Sequence, residues 1–124
     1  NKIGITIAGV VNQSGNASNK LSLPWGLYID WSNTLYITDF RNNRIQKYVR
    51  NTSFGETVAG DPTGLSGSTS NLLFFPTFVK TDLDGNVYVS DRQNNRVQLW
   101  NRGASVGTTI AGITGFCLFY DFFF

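Results

Sequence analysis

The chain has 124 residues, the length of about one small domain, with 10 basic and 8 acidic side chains and a net charge of +2. It contains no histidine and one cysteine, which excludes a Ser-His-Asp triad, a Cys-His nucleophile, histidine-containing zinc sites and an internal disulfide within it. The charge is too small to indicate a nucleic acid or an acidic membrane surface, and no apolar run reaches the roughly 20 residues of a membrane-spanning helix. Composition therefore predicts a protein that is not an enzyme and that holds no cofactor or metal.

One segment occurs twice in the chain. Residues 35–48, LYITDFRNNRIQKY, match residues 87–100, VYVSDRQNNRVQLW, at a separation of 52 residues (from 35 to 87), and Pro24 and Pro76 have the same separation. A shorter element, Thr followed by Ile or Val, Ala and Gly, occurs three times, at 6–9, 57–60 and 109–112. Matching spacing at this many positions predicts one structural unit copied along the chain.

Each unit reads as four short strands in chain order. The first unit has predicted strands at 27–30, 35–38, 45–49 and 56–59, with polar turns at 30–34 and 41–43. In the second copy the first turn contains Asp-Gly at 84–85, a strong hairpin signal because glycine tolerates positive φ. Proline is tolerated at the first residue of a strand, which suits Pro24 and Pro76. No segment has a convincing helical period, and four short antiparallel strands per unit are typical of a propeller blade.

The motifs resemble those of the NHL repeat. They are PWGLYID at 24–30, LYITD at 35–39 and NRIQ at 43–46. The second copy departs from the family at Phe78, where the family has the glycine that is Gly26 in the first copy. The alternative is the YWTD propeller family, suggested by YITD at 36–39, but its repeats are typically shorter and it does not need the Pro-x-Gly start.

The resemblance implies an all-β fold, a partial β-propeller within residues 1–112. We expect an outer strand of a preceding blade at 1–10, followed by two four-stranded antiparallel blades at 23–60 and 75–112. Because NHL propellers usually have six blades, about four blades are expected outside this chain. Residues 113–124 do not match the repeat, and 116–124 contain six aromatic residues, so we expect this tail to come from a truncated or mis-spliced reading frame.

Two charged pairs recur at the same position of each unit, Asp39 with Arg44 and Asp91 with Arg96. Each aspartate can accept hydrogen bonds from the N–H groups of the turn that follows it. Each arginine, five residues later, can return to the carboxylate as a bidentate pair. Recurrence at one blade position favours a structural role over ligand binding.

Two further arginines are candidates for a binding surface. Arg41 and Arg92 are 51 residues apart, and we expect them on the same face of neighbouring blades. Two cations without a larger local excess of charge give only a weak indication of nucleic acid binding.

The resemblance implies a non-catalytic interaction platform within a longer protein, with a protein or another macromolecule as ligand. One alternative is a fragment of an NHL-type enzyme, such as the amidating lyase, whose chemistry needs metal-binding histidines that this chain lacks. Another is a propeller of the ubiquitin ligases that combine a RING and a B-box with NHL repeats, although no RING pattern occurs here. The third is an RNA-binding propeller, which the charge disfavours.

Overall fold

A computed structural model describes residues 2–112, so the aromatic tail at 113–124 lies outside the described residues. The described chain is all-β, with two four-stranded antiparallel sheets in the strand orders β1-β2-β3-β4 and β5-β6-β7-β8. The first sheet, blade 1, consists of β1 (Pro24–Ile29), β2 (Leu35–Asp39), β3 (Arg44–Tyr48) and β4 (Glu56–Gly60). The second sheet, blade 2, consists of β5 (Pro76–Thr81), β6 (Val87–Asp91), β7 (Arg96–Trp100) and β8 (Thr108–Gly112). The predicted all-β fold of two antiparallel blades is confirmed.

The two blades repeat the same register. Leu35 pairs with Tyr48 between β2 and β3, and Val87 pairs with Trp100 between β6 and β7. Side chains alternate between the two faces of a strand, so equivalent residues of the two blades face the same direction. Among residues 2–112 there is no helix with the length and apolar character needed to cross a membrane.

Each blade reverses sharply between its second and third strands. A 3₁₀ turn at Phe40–Asn42 ends at Asn43, which has a φ of 52°, and a second 3₁₀ turn at Arg92–Asn94 ends at Asn95, with a φ of 54°. Asparagine enters the left-handed region more easily than most residues, because its short polar side chain can bond locally. This explains why both copies of the repeat have an asparagine immediately before the arginine that begins the third strand.

The first strand of each blade begins at a proline, as predicted. β1 starts at Pro24 and β5 at Pro76, and the strand pairing is irregular just after each of them. In blade 1 the irregular stretch contains Gly26, where a Cβ atom would collide with the carbonyl oxygen of Thr77 on β5. Glycine is therefore required where blade 2 approaches most closely. The second copy has Phe78 at this position, half-buried, and it is aligned with β6.

The main apolar cluster lies between the two blades. It contains Tyr36, Ile45 and Ala59 from blade 1, Leu73 from the connection, and Val79, Val87, Val89 and Trp100 from blade 2. Trp100 is 1% exposed and Leu73 is fully buried, and burying an apolar side chain of this size stabilises a fold by about 1.5–3 kcal/mol. Packing of one blade on the next therefore holds this chain together.

Blade 1 packs on one face of blade 2. The equivalent face of blade 1 has no neighbouring blade on it in the described chain. Leu27 and Ile29 on β1 are 69% and 52% exposed. Their equivalents on β5, Val79 and Thr81, are only 7% and 6% exposed, because blade 1 packs on them. On this face of blade 1 the apolar side chains of β1 are therefore exposed, while Leu35 and Ile37 of β2 are buried.

Residues 2–9 form no ladder with a strand in the described part of the chain. Gly9 nevertheless has a φ of 81°, close to the 81° of Gly60 and the 84° of Gly112 at the ends of β4 and β8. Ala8 packs against the small apolar cluster on the uncovered face of blade 1. A strand needs a hydrogen-bonded neighbour, so the assignment of residues 1–10 to the outer strand of a preceding blade stays a prediction.

Candidate functional site

The turns and loops gather at two opposite ends of the blades. We call the end that carries the two 3₁₀ turns and the connections before β1 and β5 the connection end; its segments are 9–23, 40–43, 61–75 and 92–95. The other end, the hairpin end, consists of the remaining turns, at 30–34, 49–55, 82–86 and 101–107.

A buried ion pair lies under the connection end of blade 1. Asp39 and Arg44 are 0% and 1% exposed, and Arg44 Nε donates to Asp39 Oδ2 at 2.8 Å. The carboxylate also accepts bonds from the backbone N–H of Ser22 at 2.7 Å and from Asn42 Nδ2 at 2.9 Å. The remaining N–H groups of Arg44 donate to four backbone carbonyls, those of Asn16, Ala17, Lys20 and Pro62, at 2.7–3.1 Å.

This geometry differs from the predicted one in two respects. The prediction of a bidentate pair is wrong for Arg44, because only its Nε contacts Asp39. The two terminal nitrogens bind carbonyls of the connections before and after blade 1. The backbone donor to Asp39 is Ser22, 17 residues earlier in the chain, instead of a residue of the following turn. A guanidinium carries five N–H donors in a fixed plane, and all five of Arg44 are used to bind protein groups.

Blade 2 repeats the arrangement. Arg96 Nε donates to Asp91 Oδ2 at 2.8 Å, and Asp91 also accepts bonds from Phe74 N at 2.7 Å and Asn94 Nδ2 at 2.8 Å. The terminal nitrogens of Arg96 bind carbonyls of the preceding connection, those of Ser68, Thr69 and Leu72. Burial raises the pKa of the Asp91 carboxyl, and the hydrogen bonds from Phe74, Asn94 and Arg96 act against that increase.

Arg41 and Arg92 lie on the connection end, in equivalent 3₁₀ turns, and both are exposed. They are not at equivalent positions, because the blades repeat every 52 residues; Arg41 aligns with Gln93, and Arg92 aligns with Phe40. Within residues 2–112 neither guanidinium has a hydrogen bond or ion-pair partner. Both cations therefore face solvent at the same end of the two blades.

Four aromatic rings, one of them from the first of these turns, lie in contact at the connection end, and we call them the aromatic ladder: Trp25, Phe40, Phe75 and Phe74. The rings of Trp25 and Phe40 are stacked with centroids 5.2 Å apart, and those of Phe40 and Phe75 with centroids 4.6 Å apart. Phe74 meets Phe75 edge to face at 4.9 Å. The ladder crosses from blade 1 to blade 2, and its three phenylalanines are only half-buried although both blades are present.

The backbone that carries this surface is unusual. Leu23 and Phe75 precede the two prolines and have φ values of 47° and 51°. Bulky residues seldom adopt positive φ, and strained backbone is concentrated at functional sites. Sequence reasoning missed the ladder, because its members come from three separate segments. The available signal was the run of aromatic residues beside both prolines, at Trp25 and at 74–75.

The hairpin end carries a polar cleft of about 430 Å³ between the blades. Its walls include Asp30, Asp82 and the exposed Trp31. Hydrogen bonds from the side chain of Asn86 and from backbone N–H groups hold the pKa of Asp82 below its ordinary value of 3.8. Both aspartates accept bonds from backbone N–H groups two and four residues later, and these bonds close the turn predicted at 30–34 and its copy in blade 2. Over residues 2–112 no group of three or more His, Cys, Asp or Glu residues is arranged to hold a metal ion.

Comparison with known proteins adds one finding. Residues 21–48, which include β1, β2 and β3, match the family model of the NHL repeat. A search of curated proteins gave no significant match. The matched segment contains Asp39, Asn43 and Arg44, and the second blade repeats all three at the same register. Residues 21–48 are therefore an NHL repeat, and the described chain is about two NHL repeats long.

Proposed function

We propose that this chain is a non-catalytic segment of a longer, six-bladed NHL propeller, which binds a protein ligand through its connection end. The observation that carries the proposal is the half-exposed aromatic ladder together with two solvent-facing arginines in the turns that contact it. Aromatic residues and arginine are enriched where proteins bind one another, because they combine large contact area with directional polar groups. NHL repeats often mediate such interactions.

The uncovered face of blade 1 supports a longer propeller. Leu27 and Ile29 are exposed on β1, at positions where β5 is covered by the neighbouring blade. Repeat proteins bury such faces by stacking, and each unit contacts only its neighbours. A preceding blade would cover these two residues in the same way that blade 1 covers Val79 and Thr81.

The bonding of the recurrent charges supports a non-catalytic role. A catalytic acid, base or anion-binding group must have a proton, lone pair or donor available to the substrate. Asp39 and Arg44 are buried and bonded to each other and to the backbone. Their equivalents in blade 2, Asp91 and Arg96, are likewise buried and ion-paired.

Photo-crosslinking of the full-length protein tests the proposed role. p-Benzoylphenylalanine is placed at Gln93, which is exposed beside the ladder, or at Leu83, which is 84% exposed on the hairpin end and serves as the control. We expect protease-sensitive, RNase-resistant adducts from position 93 and few from position 83. Equal labelling at both positions would contradict a binding role for the connection end, and RNase-sensitive adducts from position 93 would favour the RNA-binding alternative.

A further inference from the structure

Building on the proposed interaction role, we infer that the connection end recognises an acidic peptide segment that also carries large apolar side chains. The occupant is a flexible protein segment in which aspartate or glutamate alternates with residues such as leucine or phenylalanine. Three features of the structure support this chemistry: the distribution of charge between the two ends, the freedom of the two arginines, and the way in which the aromatic rings cover one another.

The two ends of the described chain differ in net charge. Apart from the two buried ion pairs, the connection end has three cations, Lys20, Arg41 and Arg92, against one acid, Asp61. The hairpin end is balanced when the adjoining strand ends are included, with four acids, Asp30, Glu56, Asp82 and Asp84, and four cations, Lys47, Arg50, Lys80 and Arg102. Complementary charge steers association and selects the partner. The connection end, with its excess of cations, therefore favours a negatively charged ligand more than the balanced hairpin end does.

The two arginines can reach a ligand without losing an existing contact. Arg41 is exposed although blade 2 is in place beside it. The turn that carries Arg92 is fixed to the ladder, because the backbone N–H of Gln93 donates to the carbonyl of Phe74 at 3.1 Å. Arg41 directly follows Phe40 within its own turn. Both cations thus belong to turns that contact the ladder, and guanidinium groups pair with carboxylates through two parallel hydrogen bonds.

The stacking of the ladder favours a peptide over a nucleic acid. Single-stranded RNA is recognised by stacking its bases on free aromatic faces. Phe40 has Trp25 stacked on one side and Phe75 stacked on the other, so its faces are occupied by protein rings. Phe40 therefore offers only its ring edge to a ligand, while Trp25, at the end of the ladder, is 59% exposed and stacked on a single ring. Aliphatic or aromatic side chains of a peptide can pack against both surfaces.

Fluorescence anisotropy with the full-length protein and three labelled peptides tests this inference. The first peptide alternates glutamate with leucine and phenylalanine, the second has lysine in place of each glutamate, and the third has serine in place of each apolar residue. We expect the first peptide to bind, with an affinity that falls as salt concentration rises, and the other two to bind at least tenfold more weakly. Equal binding of the glutamate and lysine peptides would overturn the inference.

A pair of matched double variants locates the binding. Arg41→Gln combined with Arg92→Gln removes both connection-end arginines, while Arg50→Gln combined with Arg102→Gln removes the same charge from the hairpin end. Since an exposed charge pair contributes modestly to binding, we expect the first variant to weaken the glutamate peptide about tenfold and the second by less than about twofold. Equal weakening by both, or displacement of the peptide by oligouridine in an Arg41-dependent manner, would overturn the inference.

The two proposals fail in different ways. If position 93 crosslinks to proteins but the glutamate peptide is not preferred, the interaction role stands and the acidic-peptide inference falls. If position 93 gives no protein adducts, both fall.

Discussion

The buried pair of Asp39 and Arg44 gives the sharpest test of how the blades are held together, and the change we consider is Asp39→Asn. It keeps the size and shape of the side chain and removes its charge. The carboxylate is fully buried and accepts bonds from Ser22 N, Asn42 Nδ2 and Arg44 Nε. An asparagine can direct its oxygen to only part of this set of donors. If the oxygen stays opposite Ser22, the amide NH₂ group faces two donors, and two of the three bonds are lost.

The expected loss of stability follows from these contacts. The Arg44 guanidinium remains buried, with four backbone carbonyls and no countercharge. Removing one partner of a buried ion pair costs about 3–5 kcal/mol, because the other charge is left uncompensated. With an m value of about 2 kcal/mol per molar urea, the unfolding midpoint should fall by about 1.5–2.5 M.

Tryptophan fluorescence during urea unfolding of the full-length protein can follow this change. Trp100 is 1% exposed between the blades, whereas Trp25 and Trp31 are 59% and 78% exposed. Among the tryptophans of residues 2–112, the emission shift on unfolding therefore comes chiefly from Trp100, which lies between the two blades. Asp84→Asn is the matched control, because Asp84 lies in an exposed turn at the hairpin end. A fall of less than about 0.5 M for Asp39→Asn, or an equal fall for Asp84→Asn, would refute the reasoning.

Three other predictions follow from contacts at single residues. Gly26→Ala should destabilise the protein by about 1–3 kcal/mol, because the new methyl group meets the backbone of β5, whereas Gly4→Ala, in open space, should leave the urea midpoint unchanged. Leu73→Ala should cost about 2–5 kcal/mol in urea unfolding, since Leu73 is fully buried in the cluster between the blades; a cost below 1 kcal/mol would show that the cluster does not depend on it. The side chain of Asn86 lowers the pKa of Asp82, so carboxyl NMR spectra should give this residue a pKa below 3.8, and that pKa should rise in Asn86→Ala. Because its folded pKa is depressed, Asp82 stabilises the fold above the unfolded pKa, and this contribution is lost as pH falls through the folded value; a measured pKa at or above 3.8 would contradict it.

Sequence repetition predicted the number, order and type of the strands, because those depend on residues close together in the chain. Pro24 at the start of β1, the left-handed Asn43 and the turn-forming Asp30 were all readable from local chemistry. The partners of Arg44 were not, since its four carbonyls belong to residues 18 to 28 positions away, brought close only by the folded connections. The aromatic ladder was missed for the same reason. Its rings come from β1, the first 3₁₀ turn and the connection before β5, and no sequence period relates these segments.

The two copies of the 3₁₀ turn show how one blade can serve both stability and recognition. In the stretch from Asp39 to Arg44, four of the six residues are identical in the second copy, and only Phe40 and Arg41 are replaced, by Arg92 and Gln93. The identical positions carry the buried ion pair, the amide that bonds to it and the left-handed turn residue. The two variable positions are the ones that point outward, toward the ladder and solvent. A fixed, internally bonded frame with two replaceable surface positions per blade allows each blade to present different chemistry without a change of fold. Exchanging Phe40 and Arg41 for the Arg-Gln pair of the second copy should therefore cost only the two ring contacts of Phe40, about 1–3 kcal/mol, while altering peptide binding, and a larger loss of stability would show that these two positions belong to the frame.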